Sequence, residues 1–266
     1  MKGINRFICG NNWTLKCSVR ALVAVLLLSF SHVIAAHEKH ESSITLITED
    51  WAPFNYREAG ELKGFSIEII QAVMDELGEQ YPIMFLPGPR GEHVLATEQN
   101  IMSFSLFRTP EREDKYKWIG PISTQSVYFY KQKGNPKTYS TIDDIKAARL
   151  ITVPHRGLVT DHVGALGITN VLKISSREKQ FLLLFSGRAE LLVNVSEFGI
   201  PYYLKQIDRP SDSLVKTQVK LLEFPLYIAC SKDIPDEVIQ RWQAALDRVK
   251  ASPEYQEINT RYLHSH

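Results

Sequence analysis

Apolar residues recur along the first half of the chain with two periods, one typical of strands and one typical of helices. Runs rich in β-branched residues predict four strands, at 43–48, 81–86, 101–106 and 125–131. Between the first two strands, helical spacing of apolar residues predicts a helix from about residue 66 that stops at a glycine. The residues concerned are Ile67, Ile70, Met74, Leu77 and the terminal Gly78.

The same alternation continues in the second half. Strands are predicted at 149–153, 171–174 and 190–195, and a last strand pair over 216–229. Helices are predicted after Thr141, after Gly157, over 178–185 and from near Pro235. Two helices have recognisable apolar faces: Phe181, Leu182 and Phe185 in one, and Val238, Trp242, Leu246 and Val249 in the other. Strand–helix alternation predicts an α/β fold with a largely parallel sheet.

The alternation is interrupted near residue 134 and resumes its first pattern near 222, which predicts two lobes joined by strands. The N-terminal segment 1–36 has a different character. It contains four basic and no acidic residues, the apolar run 21–28 and a pair of alanines at its end. This pattern predicts a cleaved signal peptide. A membrane anchor is the alternative, but a span needs about 20 apolar residues and polar residues interrupt this run.

Removal of this segment leaves 266 − 36 = 230 residues, with 31 − 4 = 27 basic and 30 acidic side chains. The resulting net charge of −3 argues against a nucleic-acid partner. Two of the three cysteines lie in the signal segment, so Cys230 has no internal disulfide partner. His155 and His162 are seven residues apart, which does not fit a helical metal pair. We therefore expect no metal and no cofactor.

Several motifs in order then resemble a known family. They are the segment 49–56 (EDWAPFNY), the segment 60–68 (GELKGFSIE), the segment 108–113 (RTPERE), the segment 116–122 (YKWIGPI) and the closing helix 241–250. Together they are similar to the bacterial extracellular solute-binding proteins that include the polar amino acid receptors of ABC importers. The resemblance implies a two-lobed periplasmic-binding-protein-like fold (type II), with two α/β lobes joined by two hinge strands. We place lobe 1 at 37–128 and 224–266, and lobe 2 at 129–223.

The resemblance also implies ligand contacts at three positions. Trp51 corresponds to an aromatic residue that packs on the ligand. Arg112 ends a Thr-x-x-Arg motif whose arginine binds the ligand carboxylate. Gly157 corresponds to a glycine at the start of a helix whose backbone N–H groups help to hold that carboxylate.

Physical chemistry supports the same three residues, although each also has a simpler structural explanation. A guanidinium fork matches two carboxylate oxygens, and Arg108 could share this role with Arg112. The alternative for Arg112 is a charge exposed to solvent. For Trp51 it is a place in the core, and for Gly157 it is a plain turn. Further candidates lie at or after predicted strand ends, where open α/β sheets bind ligands: Asp50, Ser105, Phe107, Asn194 and Glu197.

Four positions depart from the family pattern. Phe107 and Leu158 replace hydroxyl residues, Val195 stands where an aspartate holds a ligand ammonium group, and Gly88 replaces a tryptophan. A buried ammonium without a partner is costly, so we expect a ligand other than an ordinary α-amino acid. A two-residue shift of the alignment would instead bring Glu197 to the amine position.

These observations predict a monomeric periplasmic solute-binding protein that captures a small, carboxylate-bearing ligand. Its partner would be an ABC permease or a membrane sensor. An enzyme on the same fold, dehydratase-like or peptidoglycan-cleaving, is the alternative, with Glu49, Asp50 and Glu197 as acid or base candidates. No catalytic signature stands out, so we expect no enzymatic activity. A structural or adhesive periplasmic protein is the third possibility.

Overall fold

An eight-stranded sheet organises the part of the chain that the computed structural model describes, residues 44–193 and 196–263. The strand order is β4-β1-β5-β10-β6-β9-β7-β8, and β2 and β3 form a separate hairpin. The predicted signal peptide 1–36 and two residues singled out above, Asn194 and Val195, lie outside the described residues.

The sheet strands and the hairpin have the following bounds. They are β1 (Thr45–Thr48), β2 (Tyr56–Glu58), β3 (Glu61–Lys63), β4 (Ile83–Phe85), β5 (Ile101–Leu106), β6 (Lys117–Gln132), β7 (Ile151–Pro154), β8 (Val171–Ile174), β9 (Leu191–Leu192) and β10 (Leu214–Cys230). The helices are α1 (Phe65–Leu77), α2 (Gly88–Thr97), α3 (Pro110–Glu113), α4 (Ile142–Lys146), α5 (Leu158–Ala165), α6 (Arg177–Phe185), α7 (Gly199–Gln206), α8 (Asp236–Ala251) and α9 (Pro253–Leu263). A short 3₁₀ helix covers Ser211–Ser213.

Two long strands connect the halves of this sheet. β6 and β10 pair antiparallel from Lys117 opposite Cys230 to Gln132 opposite Leu214. β10 pairs with β5 on one side, and β6 pairs with β9 on the other. Within each half the neighbouring pairs β1–β4, β1–β5, β7–β8 and β7–β9 are parallel. The predicted two-lobed α/β fold with two hinge strands is therefore confirmed.

The lobe that contains β1 has its core between the sheet and helices α1 and α8. Leu46 of β1 and Trp242 of α8 are fully buried, and α1 and α8 pack against each other. Helix α1 begins at Gly64, which has a φ of 128°. A Cβ there would collide with the carbonyl oxygen of Phe54, so the close approach of the loop before α1 requires glycine. The predicted stop at Gly78 is confirmed by its left-handed conformation.

Three details of the sequence prediction need correction. The expected strand pair over 216–229 is one continuous strand, β10, with shifts of register rather than a turn. In α6 the buried residues are Gln180, Phe181 and Leu184, whereas Leu182 is 46% exposed. Among the described residues 190–193 of the predicted strand 190–195, the strand β9 covers Leu191–Leu192. The prediction also missed the hairpin β2–β3 and the helices α2, α3, α7 and α9.

Glu190 ties together three segments of the lobe that contains β7. Its carboxylate accepts hydrogen bonds from Tyr139 Oη at 2.5 Å and from the backbone N–H of Arg149 at 2.8 Å, and it pairs with Lys137 Nζ at 2.5 Å. Burial acts to raise the pKa of Glu190, but the contacts with Lys137, Tyr139 and Arg149 outweigh it and lower the pKa to about 2.

We expect Glu190→Gln to lower the free energy of unfolding by about 1–3 kcal/mol near neutral pH, because it removes the charged acceptor of this network. A lowered folded-state pKa stabilises above the unfolded value of 4.5, and this stabilisation is lost as the pH falls toward about 2. Urea unfolding at a series of pH values should therefore show the two proteins converging below pH 4.5. Glu178→Gln, at an exposed position of α6, is the control. If the difference in unfolding free energy between Glu190→Gln and the unchanged protein did not depend on pH, the role given to the Glu190 carboxylate would be contradicted.

Candidate functional site

A cavity of about 620 Å³ lies where the two halves of the sheet meet. One wall comes from the half that contains β1, and consists of Glu49, Asp50, Trp51, Ala52, Pro53, Phe54, Phe107 and Phe224, with Val127 of β6 beside them. The opposite wall comes from the half that contains β7, and consists of Pro154, His155, Arg156, Leu158, Val159, Ile174, Ser175, Arg177, Gln180, Ser196 and Gly199. We call this space the interlobe cavity.

Backbone hydrogen bonds fix the loop that carries Trp51. The N–H of Trp51 donates to the carbonyl of Asn55 at 2.7 Å, and the N–H of Asn55 donates back at 3.1 Å. The buried side chain of Asn55 also donates to the carbonyl of Glu49. The carbonyls of Pro53 and Phe54 in turn accept from the first residues of α1. This closed loop holds Trp51 at the carboxyl end of β1.

Aromatic rings form the apolar face of the first wall. The ring centroid of Trp51 lies 4.7 Å from Phe54, 5.9 Å from Phe107 and 6.1 Å from Phe224. Phe107 and Phe224 meet edge to face at 5.3 Å. Trp51 is therefore both a packed residue and a cavity residue, and the two explanations offered by the sequence are not exclusive. Phe224 was not singled out from the sequence, because it lies within a long strand whose pattern does not mark a site.

Arg112 lines a second pocket of about 360 Å³ on the far side of Trp51 and Phe107. Its Nη2 donates to Glu92 at 3.2 Å and its Nη1 to the carbonyl of Phe107 at 3.4 Å. We call this space the Arg112 pocket. It shares Glu49, Trp51 and Phe107 with the interlobe cavity, so the two spaces adjoin.

Ser105 also lines the Arg112 pocket and has an unusual environment. Its φ is 64°, its residue surface is 7% exposed, and its hydroxyl has no hydrogen-bond partner among the described residues. Buried hydroxyls normally find a partner. Gly88 lines the same pocket and has no side chain to fill it. A larger residue at this position would project toward the carboxylate of Glu49.

Arg108 does not line either space. It pairs with Glu113 through two hydrogen bonds, one of them from Nε at 2.6 Å. Its guanidinium also lies over the rings of Trp118 and Tyr227, 5.6 Å from each centroid. The structure thus separates the two arginines that the sequence left as alternatives, and Arg108 is engaged on the outer side.

Three further candidates take different positions. Gly157 caps α5 with a φ of 105°, a conformation that favours glycine; its neighbours line the interlobe cavity, but Gly157 itself does not. Glu197 pairs with Lys216 at 2.5 Å and lies outside both spaces. Asp50 lines the interlobe cavity. Of the acidic candidates Asp50 and Glu197, only Asp50 lines one of the two spaces.

Several cavity residues were missed in the second wall. His155 and Arg156 follow β7, and Arg177 begins α6 directly after β8. The rule that ligands bind at the carboxyl ends of parallel strands, applied above to Asp50 and Ser105, would also have marked these positions.

Aromatic contacts join the two lobes below the cavity. Phe198, from the lobe that contains β7, is 3% exposed and packs on Phe54, Phe65 and Tyr262 with centroid distances of 6.1, 4.8 and 6.0 Å. Beside it Tyr202 meets Tyr56 at 5.5 Å.

The described residues 44–193 and 196–263 also bear on two other kinds of site. No group of three or more His, Cys, Asp or Glu side chains could hold a metal ion in that part of the chain. Within the same residues, none of the helices is both long enough and apolar enough to cross a membrane.

Two curated proteins are similar to this chain over much of their length. The probable amino-acid-binding protein YxeM of Bacillus subtilis is 23% identical over 267 residues, covering 94% of each chain. The probable amino-acid ABC transporter-binding protein of Haemophilus influenzae is 27% identical over 198 residues, covering 69% of this chain and 72% of that protein.

Solved structures show the same fold. The second substrate-binding domain of GlnP from Lactococcus lactis, in an open conformation, has a TM-score of 0.71 at 17% identity and covers 85% of this chain and 97% of that chain. At such identity the likeness concerns the fold alone. The profile of the bacterial extracellular solute-binding proteins, family 3, matches residues 44–265. The chain therefore belongs to the bacterial extracellular solute-binding proteins, family 3.

Proposed function

We propose that this protein captures a small, carboxylate-bearing solute in the interlobe cavity and presents it to an ABC importer or a membrane sensor. The observation that carries the proposal is the interlobe cavity itself, which both lobes line and which two strands flank. A volume of about 620 Å³ lies within the range of small-molecule sites. The names of the two curated relatives support binding rather than catalysis, and one of them names an ABC transporter.

In this proposal the ligand lies against the aromatic face of Trp51 and Phe107, with Asp50 at the rim. Rigid aromatic walls bury much of a small ligand at a low cost in side-chain entropy. The carboxylate reaches Arg112 in the adjoining pocket, where the unpartnered hydroxyl of Ser105 supplies a further donor. Residues 1–36 act as the export signal that directs the protein to the periplasm. The mature protein works there as a monomer.

The names of the relatives point to amino acids, whereas Phe107 and Leu158 favour a less polar ligand. Native purification followed by mass spectrometry should reveal which solute the protein carries. A thermal-shift screen of the twenty standard amino acids and a set of amine-free carboxylic acids complements it. We expect the strongest shifts from the amine-free acids. An amino acid bound at micromolar affinity would contradict that expectation and leave the binding function intact.

We expect the two lobes to close on the solute, because contacts to both walls form together only in a closed cleft. The hinge would lie at the proposed boundaries, where Val127 faces Leu222 and β10 shifts register nearby. Small-angle scattering should show a smaller radius of gyration when the best compound of the screen is added. A compound that gives no thermal shift serves as the control, and an unchanged radius with saturating ligand would count against closure.

Arg112→Ala should weaken binding of the same compound by about 2–5 kcal/mol, because it removes a charged partner from a desolvated pocket. This loss of binding free energy corresponds to a Kd that is roughly 30-fold to several-thousand-fold higher. Arg108→Ala is the matched control, since Arg108 lies four positions away and is held by Glu113 outside both spaces. Calorimetry measures both variants. Near-normal affinity of Arg112→Ala, with an unchanged melting curve, would remove Arg112 from the site.

A further inference from the structure

The second wall of the interlobe cavity is built largely from the beginnings of helices. Leu158, Arg177 and Gly199 are the first residues of α5, α6 and α7, and all three line the cavity. Backbone N–H groups in the first turn of a helix have no partner within the helix, and the helix dipole makes this end positive. Three such ends on one wall favour an anion there, although in α6 the side chain of Ser176 already accepts from the N–H of Lys179.

Basic side chains stand on the same wall. His155, Arg156 and Arg177 line the cavity, and no described Asp or Glu forms an ion pair with any of them. Among the described residues of this wall, none is acidic. Arg112, by contrast, already has Glu92 beside its guanidinium.

Tyr203 orients the guanidinium of Arg177. Nη1 of Arg177 donates to the hydroxyl of Tyr203 at 2.6 Å, and the guanidinium carbon lies 5.5 Å from the centroid of the Tyr203 ring. The hydroxyl of Tyr203 donates in turn to the carbonyl of Ala52 at 3.4 Å, across the cleft. Arginine has five N–H donors, and this arrangement uses one of them, so donors remain for a ligand.

Ser196 provides an independent observation. It lines the cavity, its residue surface is 3% exposed, and its hydroxyl has no hydrogen-bond partner among the described residues. A buried hydroxyl without a partner costs free energy that a ligand acceptor could recover. The opposite wall carries the acidic side chain of Asp50, which lines this cavity and not the Arg112 pocket and repels an anion toward the wall of Arg177.

We infer that the ligand carries two acidic groups, the second of which is bound by lobe 2 at Arg177 and Ser196. This inference rests on the proposed function, in which Arg112 of lobe 1 binds the first group. The ligand class is then a dicarboxylic acid, with one carboxylate in the Arg112 pocket and one on the wall of Arg177. Closure of the lobes would remove water from Arg177 and strengthen the second contact.

Four matched pairs of compounds test the inference by calorimetry: succinate and succinamate, glutarate and glutaramate, L-aspartate and L-asparagine, L-glutamate and L-glutamine. Each pair differs in one carboxylate, replaced by a neutral amide. For at least one pair we expect the diacid to bind about 10-fold more tightly than its half-amide, because a charge-assisted bidentate contact is lost. Arg177→Ala should abolish this preference while it leaves the half-amide within about 3-fold of its original affinity.

Two further variants separate charge from structure. Arg177→Gln retains a donor for the hydroxyl of Tyr203 and removes the positive charge, so it should also abolish the preference. Arg209→Ala removes another lobe 2 arginine, which lies 4.8 Å from the ring centroid of Phe185 and outside the cavity, and should preserve the preference. Melting curves check that each variant is folded.

The outcomes distinguish this inference from the proposed function. Any of three results overturns the inference of a second acidic group. The diacid and the half-amide could bind equally in every pair, the preference could survive both Arg177 variants, or none of the eight compounds could bind. In each of these cases, a solute identified by native mass spectrometry leaves the proposed function standing. If native mass spectrometry and the wider screen also find no ligand, the proposed function fails as well.

Discussion

The hydrogen-bonded pairing of β6 with β10 is the interaction on which the rest of the molecule depends. These two strands are shared by both halves of the sheet, and each is bonded to a neighbour that belongs to one half only. A backbone ladder resists stretching but tolerates bending where its register shifts, as β10 does between Lys216 and Leu222. The ladder therefore holds two α/β halves side by side, with aromatic packing around Phe198 between them, and leaves a cleft between their facing strand ends.

The polarity of that cleft follows from the topology. In both lobes parallel strands end at the cleft, so loops and helix beginnings collect there. In the first lobe the loop after β1 supplies aromatic rings and acidic side chains, including Trp51 and Asp50. In the second lobe three helices begin at the cavity, and basic residues accompany them. A solute between the lobes thus meets an aromatic, acidic wall on one side and a positive wall on the other.

Unpartnered polar groups mark the same region. Ser105 and Ser196 are both buried, and neither hydroxyl has a partner among the described residues. Each lines one of the two adjoining spaces, on opposite sides of the aromatic rings of Trp51 and Phe107. Arg108 differs, because two of its guanidinium nitrogens donate to Glu113 and the guanidinium lies over two rings outside both spaces. A residue whose donors already bond inside the fold has few donors left for a ligand, whereas the hydroxyls of Ser105 and Ser196 are available to one.

The sequence by itself determined the α/β class, the two lobes, the buried face of α8 and the loop that carries Trp51, because periodicity and turn chemistry are local properties. It also pointed to the carboxyl ends of strands as the site. Only the tertiary structure decided that Arg112 and Arg177 lie in different spaces, that Arg108 is occupied and that Glu197 pairs with Lys216. The pairing of Arg108 with Glu113 spans only five residues, but the residues that line each space come from segments far apart in the sequence. Which side chains face the interlobe cavity depends on how β6 and β10 bring the two lobes together, and no local pattern records this.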